Sequence, residues 1–210
     1  TQKPPAAHED PLAYVARYDG GPCFAILSAT ASAGSARIEA VGALREAFET
    51  LNEAFRNAFG FEAEIKAALA TRAQCAAIDF FRAAADGRDF APKIELASAF
   101  PHAGAPLTGS VTSPAGRALA AVFVDPAGLA QGAETPPASG RGRAFSLTPP
   151  RAKESAELQL LLLVSSAAPL AALRPGRPAP AEAMLSAARA EAEARGDRLG
   201  VGLAYFYVTD

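Results

Sequence analysis

The chain has 210 residues, 50% of them hydrophobic, and its 20 basic and 22 acidic side chains give a formal charge of −2. This length and apolar content exclude wholesale disorder and leave room for one large domain or two small ones. The interspersed charges leave no basic field for nucleic acid and no polybasic patch for a membrane surface. No apolar run approaches the roughly 20 residues that span a bilayer, the longest being residues 158–164. The chain begins at Thr1 rather than Met, which is compatible with a signal, an anchor or a whole domain upstream.

Residues 1–12 combine proline, charge and no periodicity, the pattern of a linker. After them Tyr14, Ala16 and Tyr18 alternate with Val15 and Arg17, which predicts a strand-like lead-in ending in the Asp19-Gly20-Gly21-Pro22 turn. Residues 23–30 and 36–41 read as two strands joined by a small-residue turn, a hairpin that feeds a helix. In that helix Leu44, Phe48, Leu51, Phe55 and Phe59 fall on one stripe of a 3.6-residue period, a face that has to be buried. Gly60 supplies the left-handed stop, and Arg45 with Glu49 supports the solvated side. A third strand follows at 62–66, and Thr71 with Gln74 forms a T-x-x-Q capping box for a second helix over 72–85. Cys75, Ile78 and Phe81 lie on one side of that helix, and Gly87 closes it. The expected fold class is α+β, beginning with a β-β-α-β-α module over 13–90 whose helices cover one face of a mostly antiparallel sheet.

The pattern changes to strands and turns at 86–91, which places the start of a second domain at 91. Residues 94–100, 106–113 and 118–124 are successive strands, and the Asp125-Pro126-Ala127-Gly128 turn leads to a hairpin partner. Residues 135–143 read as a polar loop, 145–148 as an edge strand, and 158–164 as a central strand buried on both faces. A surface crossover then leads to a helix with a narrow stripe of Met184, Leu185, Ala188 and Ala192, with Glu191 and Arg195 paired outside and Gly196 as its stop. The last strand puts Leu199, Val201, Leu203, Tyr205 and Tyr207 on one face. Gly200, Gly202, Ala204, Phe206 and Val208 lie on the other, where small residues invite close approach by the alanine-rich helix. The second domain is thus expected to be an antiparallel β-sandwich with one C-terminal helix.

The run YVARYDGGPCFAI with the apolar helix after it and Cys75 resembles the extracytoplasmic, non-kinase region of alphaproteobacterial membrane-linked serine/threonine protein kinases. The VFVDPAG and LLLLVSSAAPL segments are similar to β-sandwich modules appended to envelope kinases and caspase-like proteins, and SARIEAVG with its helix resembles BON domains. This resemblance implies a binding or sensory module in the bacterial envelope, periplasmic or otherwise extracytoplasmic, with a membrane-anchored domain of its own upstream. No kinase motif accompanies it: Asp79-Phe80-Phe81 departs from D-F-G and lies in a predicted helix.

Cys23 and Cys75, the only cysteines, lie 52 positions apart and bracket the first module. A disulfide between them is the leading reading, and in the chain-entropy model a loop of that length contributes about 4 kcal/mol. Two buried free thiols are the plainer alternative, and a cysteine nucleophile served by His8 or His102, as in a Cys-dependent hydrolase, is the sharper one. Two Cys and two His show no ligand-pair spacing, so no metal is expected, and no cofactor. Gly140-Arg141-Gly142-Arg143 lacks the Lys and Ser/Thr of a phosphate loop, and Ser110, Ser113, Ser165 and Ser166 lack a nucleophile elbow. The candidate binding surface is Tyr205 and Tyr207 with Arg141 and Arg143, facing an envelope protein or a glycan. The expected function is a non-catalytic binding or sensory module, with an envelope scaffold as the main alternative.

Overall fold

In the computed structural model, which describes residues 10–134, 140–150 and 157–209, the chain opens with a helix where the alternation of the tyrosines predicts a strand. Of the predicted linker, residues 1–9 lie outside the described residues. Helix α1 (Pro11–Arg17) forms because Asp10 caps it, its Oδ1 accepting from the Leu12 N–H at 3.0 Å, and because proline at the first helical position is already set to a helical φ. Tyr14 and Tyr18, one turn apart, then come together at 6.2 Å between ring centroids.

The first of two compact units ends at Leu69. Strands β1 (Phe24–Ser32) and β2 (Ser35–Gly42) form the predicted antiparallel hairpin, with an irregularity between Ile26 and Ser28. Helix α2 (Arg45–Phe59) buries Phe48, Leu51 and Phe55, and Gly60 ends it in the left-handed conformation at φ 77°. Leu44 is not on the buried stripe: it sits at the N-cap, before the helical period begins, and is 47% exposed. Strand β3 (Glu64–Leu69) pairs with β2 in parallel, giving the order β1-β2-β3. The predicted antiparallel arrangement fails at this pair because the chain returns through α2, the crossover that a parallel neighbour requires. Phe24, Ile38 and Ala40 meet the helix stripe in the core of this unit. Across β2 and β3, Arg37–Glu64 and Lys66–Glu39 pair at 2.8 Å in solvent, where such bridges contribute little.

The second unit begins at Ala70. Thr71 and Gln74 form the predicted capping box ahead of α3 (Cys75–Ala83), whose buried side chains are Ala77, Ile78 and Phe80, not Phe81. The helix is shorter than predicted: a 3-10 segment, Ala85–Phe90, runs through Gly87. Then come β4 (Lys93–Leu96), β5 (Leu107–Ser113), β6 (Ala118–Val124), β7 (Leu129–Ala133), β8 (Gly140–Leu147), β9 (Leu158–Ser166), β10 (Ala179–Pro180), α4 (Ala181–Glu193) and β11 (Gly200–Tyr207). They build a five-stranded sheet, β10-β7-β6-β9-β11, and a three-stranded sheet, β4-β5-β8, so the class is α+β as expected. Leu107, Phe145 and Leu147 of the small sheet share a core with Phe123, Leu161 and Phe206 of the large one, which makes a sandwich. Helices α3 and α4, packed on each other, cover the opposite face of the large sheet. The division therefore falls at Leu69 and Ala70, before the change of pattern at 86–91, because α3 belongs with β9, β11 and α4.

Two further predictions change for non-local reasons. The glycine-arginine stretch from Gly140 is strand, not loop, since β8 pairs along β5, with a bulge between Val111 and Ser113. The small face of β11 receives the chain entering β4 and not the alanine-rich helix: a Cβ on Gly202 would stand 2.3 Å from the Pro92 carbonyl oxygen, and one on Gly200 would stand 2.0 Å from that of Phe90.

Buried polar groups tie these layers together. The Gln74 side chain is fully buried, accepting from the Thr71 N–H at 3.0 Å and donating to the carbonyls of Leu158 at 3.0 Å and Val124 at 3.3 Å. The Arg117 guanidinium, stacked 4.4 Å over the Phe90 ring, donates to Asp197 at 3.0 Å and to the Arg198 carbonyl at 2.6 Å. Asp197 in turn accepts from the Ala167 N–H at 2.6 Å. Only 12% and 8% of the Arg117 and Asp197 side chains are exposed, so removing either partner strands a buried charge.

Two substitutions test this packing. Gly202→Ala forces the Pro92 backbone away and is expected to lower unfolding stability by about 1–3 kcal/mol in urea denaturation; an unchanged midpoint would show that the two layers do not meet there. Gln74→Leu keeps the volume but leaves two carbonyls and one N–H unpaired, with an expected loss of about 2 kcal/mol or more, while Gln74→Glu does not rescue it because the donor is gone.

Candidate functional site

Cys23 and Cys75 are bonded to each other, since neither of the two cysteines is free and both are disulfide-bonded. Cys23 leaves the Gly20-Gly21-Pro22 turn with a left-handed φ of 56°, unusual for a residue with a Cβ, and its carbonyl accepts from the Ala43 N–H at 3.2 Å. Cys75 opens α3. With both sulfurs bonded, no thiolate is present to act as a nucleophile. His102 is placed beside the C-terminal strand, its Nδ1 3.4 Å from the Thr209 hydroxyl, and His8 lies outside the described residues.

Three of the four serines singled out in the sequence are tied to the main chain or to a neighbouring side chain, while the buried Ser113 hydroxyl has no hydrogen-bond partner among the described residues. Ser165 donates to the Phe90 carbonyl, Ser166 to that of Ala168 at 2.8 Å, and Ser110 to Glu95 at 3.3 Å. Among the described residues no group of three or more His, Cys, Asp and Glu side chains is placed to hold a metal ion, and no helix is long and apolar enough to cross a membrane.

The candidate binding surface is not one surface. Tyr205 and Tyr207 lie on the helix-covered face of β11, because Phe206 and Val208 point into the sandwich. Tyr205 is buried at 7% exposure, with its ring 6.0 Å from Tyr207 in an edge contact. Arg143 is exposed on β8 in the other sheet; the Arg141 side chain lies outside the described residues. The aromatic group that does face solvent is Phe100, 61% exposed and stacked on Tyr207 at 5.6 Å with 14° between the planes. Its loop is fastened along the strand: the Tyr207 N–H donates to Ala99 at 2.7 Å, the Thr209 N–H to Pro101 at 2.9 Å, and the Ala103 N–H to Thr209 at 2.7 Å. Phe100 escaped the sequence reading because it precedes a proline in a strand-like run; its large apolar ring beside a turn was the available signal.

Concavities among the described residues of the second unit include the following two. One is a groove of about 670 Å³ between α3 and α4, where the Arg189 guanidinium stands 5.5 Å from the centre of the Phe80 ring. The other is a cavity of about 370 Å³ over the start of β6 and the end of β7, roofed by the chain that follows β9. Near that roof the backbone N–H of Ala171, with further help from Ala172, Arg195 and Arg174, holds the Glu191 carboxyl below the usual carboxylate range although partial burial opposes it. In the first unit burial pushes the Tyr18 hydroxyl up, and the hydrogen bond to Glu64 raises Arg37.

Comparison with protein-family models, with curated proteins and with solved structures finds no match for this chain.

The Phe100 stack generates a prediction. Phe100→Ala is expected to cost at most about 1.5 kcal/mol, because the ring is mainly solvent-facing, while changing the near-ultraviolet circular dichroism of Tyr207. A loss of cooperative folding would instead make Phe100 a core residue.

Proposed function

We propose that this chain is a non-catalytic binding or sensory module that works outside the cytoplasm, as the outer part of a membrane-linked serine/threonine protein kinase. The observation that carries the reading is the Cys23–Cys75 disulfide. Disulfides persist in oxidising compartments such as the periplasm and are kept reduced in most cytosols. The bond also occupies both sulfurs on which the hydrolase alternative depends. The kinase connection is supported by the resemblance carried by the first module and by the strand-turn and two-face-buried strand of the second. A ligand-binding role is favoured over a purely structural scaffold by the cavity of about 370 Å³, which lies in the size range of small-molecule sites.

The test reads compartment and chemistry together. Tagged protein expressed from its own gene and trapped with an alkylating agent before lysis is expected in the extracytoplasmic fraction, with Cys23 and Cys75 recovered as one cross-linked peptide pair. The double variant Cys23→Ser, Cys75→Ser is expected to lose about 2–4 kcal/mol of stability. Two alkylated free thiols in exported protein would contradict the reading, and a full-length product with no kinase domain would remove its kinase part alone.

A further inference from the structure

The cavity over β6 and β7 has features that the fold does not otherwise use. Its inner wall is apolar, made by Ala118 and Ala120 on β6 and by the buried Leu170 and Leu173 of the roof. At its rim stand two side chains of opposite charge, Glu134 at the end of β7 and Arg174 after the 3-10 turn Ala171–Leu173. They form no ion pair with each other, and neither side chain has a hydrogen-bond or ion-pair partner among the described residues. Arg174 also acts electrostatically on Glu191, whose carboxyl it helps to keep ionised. Glu191 is already engaged, accepting from Ala171 at 3.0 Å and Ala172 at 3.2 Å and pairing with Arg195.

The roof is also fixed in advance. Gly132 of β7 lets the roof backbone lie directly on the sheet, since a Cβ there would stand 2.5 Å from the carbonyl oxygens of Leu173 and Arg174. Gln131 donates to the Gly176 carbonyl at 3.2 Å, and Glu191 holds the other end of the turn. A wall pinned at both ends presents its charges without an ordering cost when a ligand enters.

We propose that this cavity binds a small zwitterion with an apolar body, an apolar amino acid, whose carboxylate is held by Arg174, whose ammonium is held by Glu134 and whose side chain packs on Ala118, Ala120, Leu170 and Leu173. An anion alone would leave Glu134 unpaired beside the ligand, and a cation alone would leave Arg174 so; a ligand carrying both charges satisfies each. The volume of about 370 Å³ admits a leucine-sized molecule and excludes a folded partner. The assignment gives a ligand class to the binding module proposed above and rests on that reading.

The test is isothermal titration and thermal melting of the intact, disulfide-bonded chain with L-leucine, N-acetyl-leucine, leucinamide and L-lysine. L-leucine is expected to bind with a Kd of about 1 mM or tighter and to raise the melting temperature. N-acetyl-leucine, leucinamide and lysine, which lack the ammonium, the carboxylate and the apolar body respectively, are expected to bind at least about tenfold more weakly. Arg174→Gln and Glu134→Gln, both at exposed positions, are expected to weaken L-leucine by a similar factor with unchanged melting of the free protein. The analogue series on the unaltered chain keeps the test decisive if either variant misfolds. Absence of L-leucine binding, or equal binding of leucine and N-acetyl-leucine, overturns the assignment. Either failure leaves the extracytoplasmic binding reading to its own fractionation and thiol-trapping result, which the titration does not touch.

Discussion

Strand β9 has no exposed face. Every residue from Leu158 to Ser166 is buried, and a strand with apolar side chains on both sides has to be covered twice. The second unit meets that requirement with two different layers. Leu161 and Leu163 point to the three-stranded sheet and share its core, while Leu160 and Leu162, opposite Tyr205 and Leu203 of β11, point to the helices. The remaining strands of the large sheet are arranged around it: β6 and β11 flank β9 directly, and β7 and β10 extend the sheet beyond β6. Fully burying each leucine is worth about 2 kcal/mol, so this strand contributes more to the drive for layering than any polar contact nearby.

Close layers require that polar groups be satisfied and side chains be removed where backbones meet. Gln74 takes up strand-end carbonyls from β6 and β9 and so joins α3 to the sheet it covers. Glycines at 132, 200 and 202 are among the places where a connecting segment lies against the sheet with no space for a Cβ. The cavity between β6, β7 and the roof follows from the same constraint: the backbone is pinned at Gly132, while the chain ahead of it at Leu170 and Leu173 turns its leucines inward. A site there has a rigid wall because the fold needs that wall for its own packing.

Features set by local chemistry were legible in the sequence. The phenylalanine stripe of α2, the T-x-x-Q box at Thr71 and Gln74, the hairpin of β1 and β2 and the two-face burial of β9 each depend on residues within a few positions of one another. The disulfide was legible because two cysteines allow one pairing. What failed depends on partners distant in sequence or on competition between short signals. In α1 a cap and a proline outweighed a five-residue alternation, and the Gly-Arg segment of β8 became strand because β5 offered it a register. Arg117 and Asp197 are 80 positions apart, and Glu134 and Arg174 come to line one cavity only after the crossover folds back. Tyr205, conspicuous in sequence as an aromatic, is buried packing, while Phe100 stacks on Tyr207 from a loop more than 100 positions earlier.

The second unit is a structure layered on one strand, with its cavity and its buried ties as consequences of that layering. Native-state hydrogen exchange resolved by residue tests this most directly. The amides of β9 are expected to exchange only through global unfolding, with protection equal to the full stability, and those of β6 and β11 next, while β4 and β8 at the edges of the small sheet open more readily. Exchange of the β9 amides through local openings, faster than those of β5, would contradict the account.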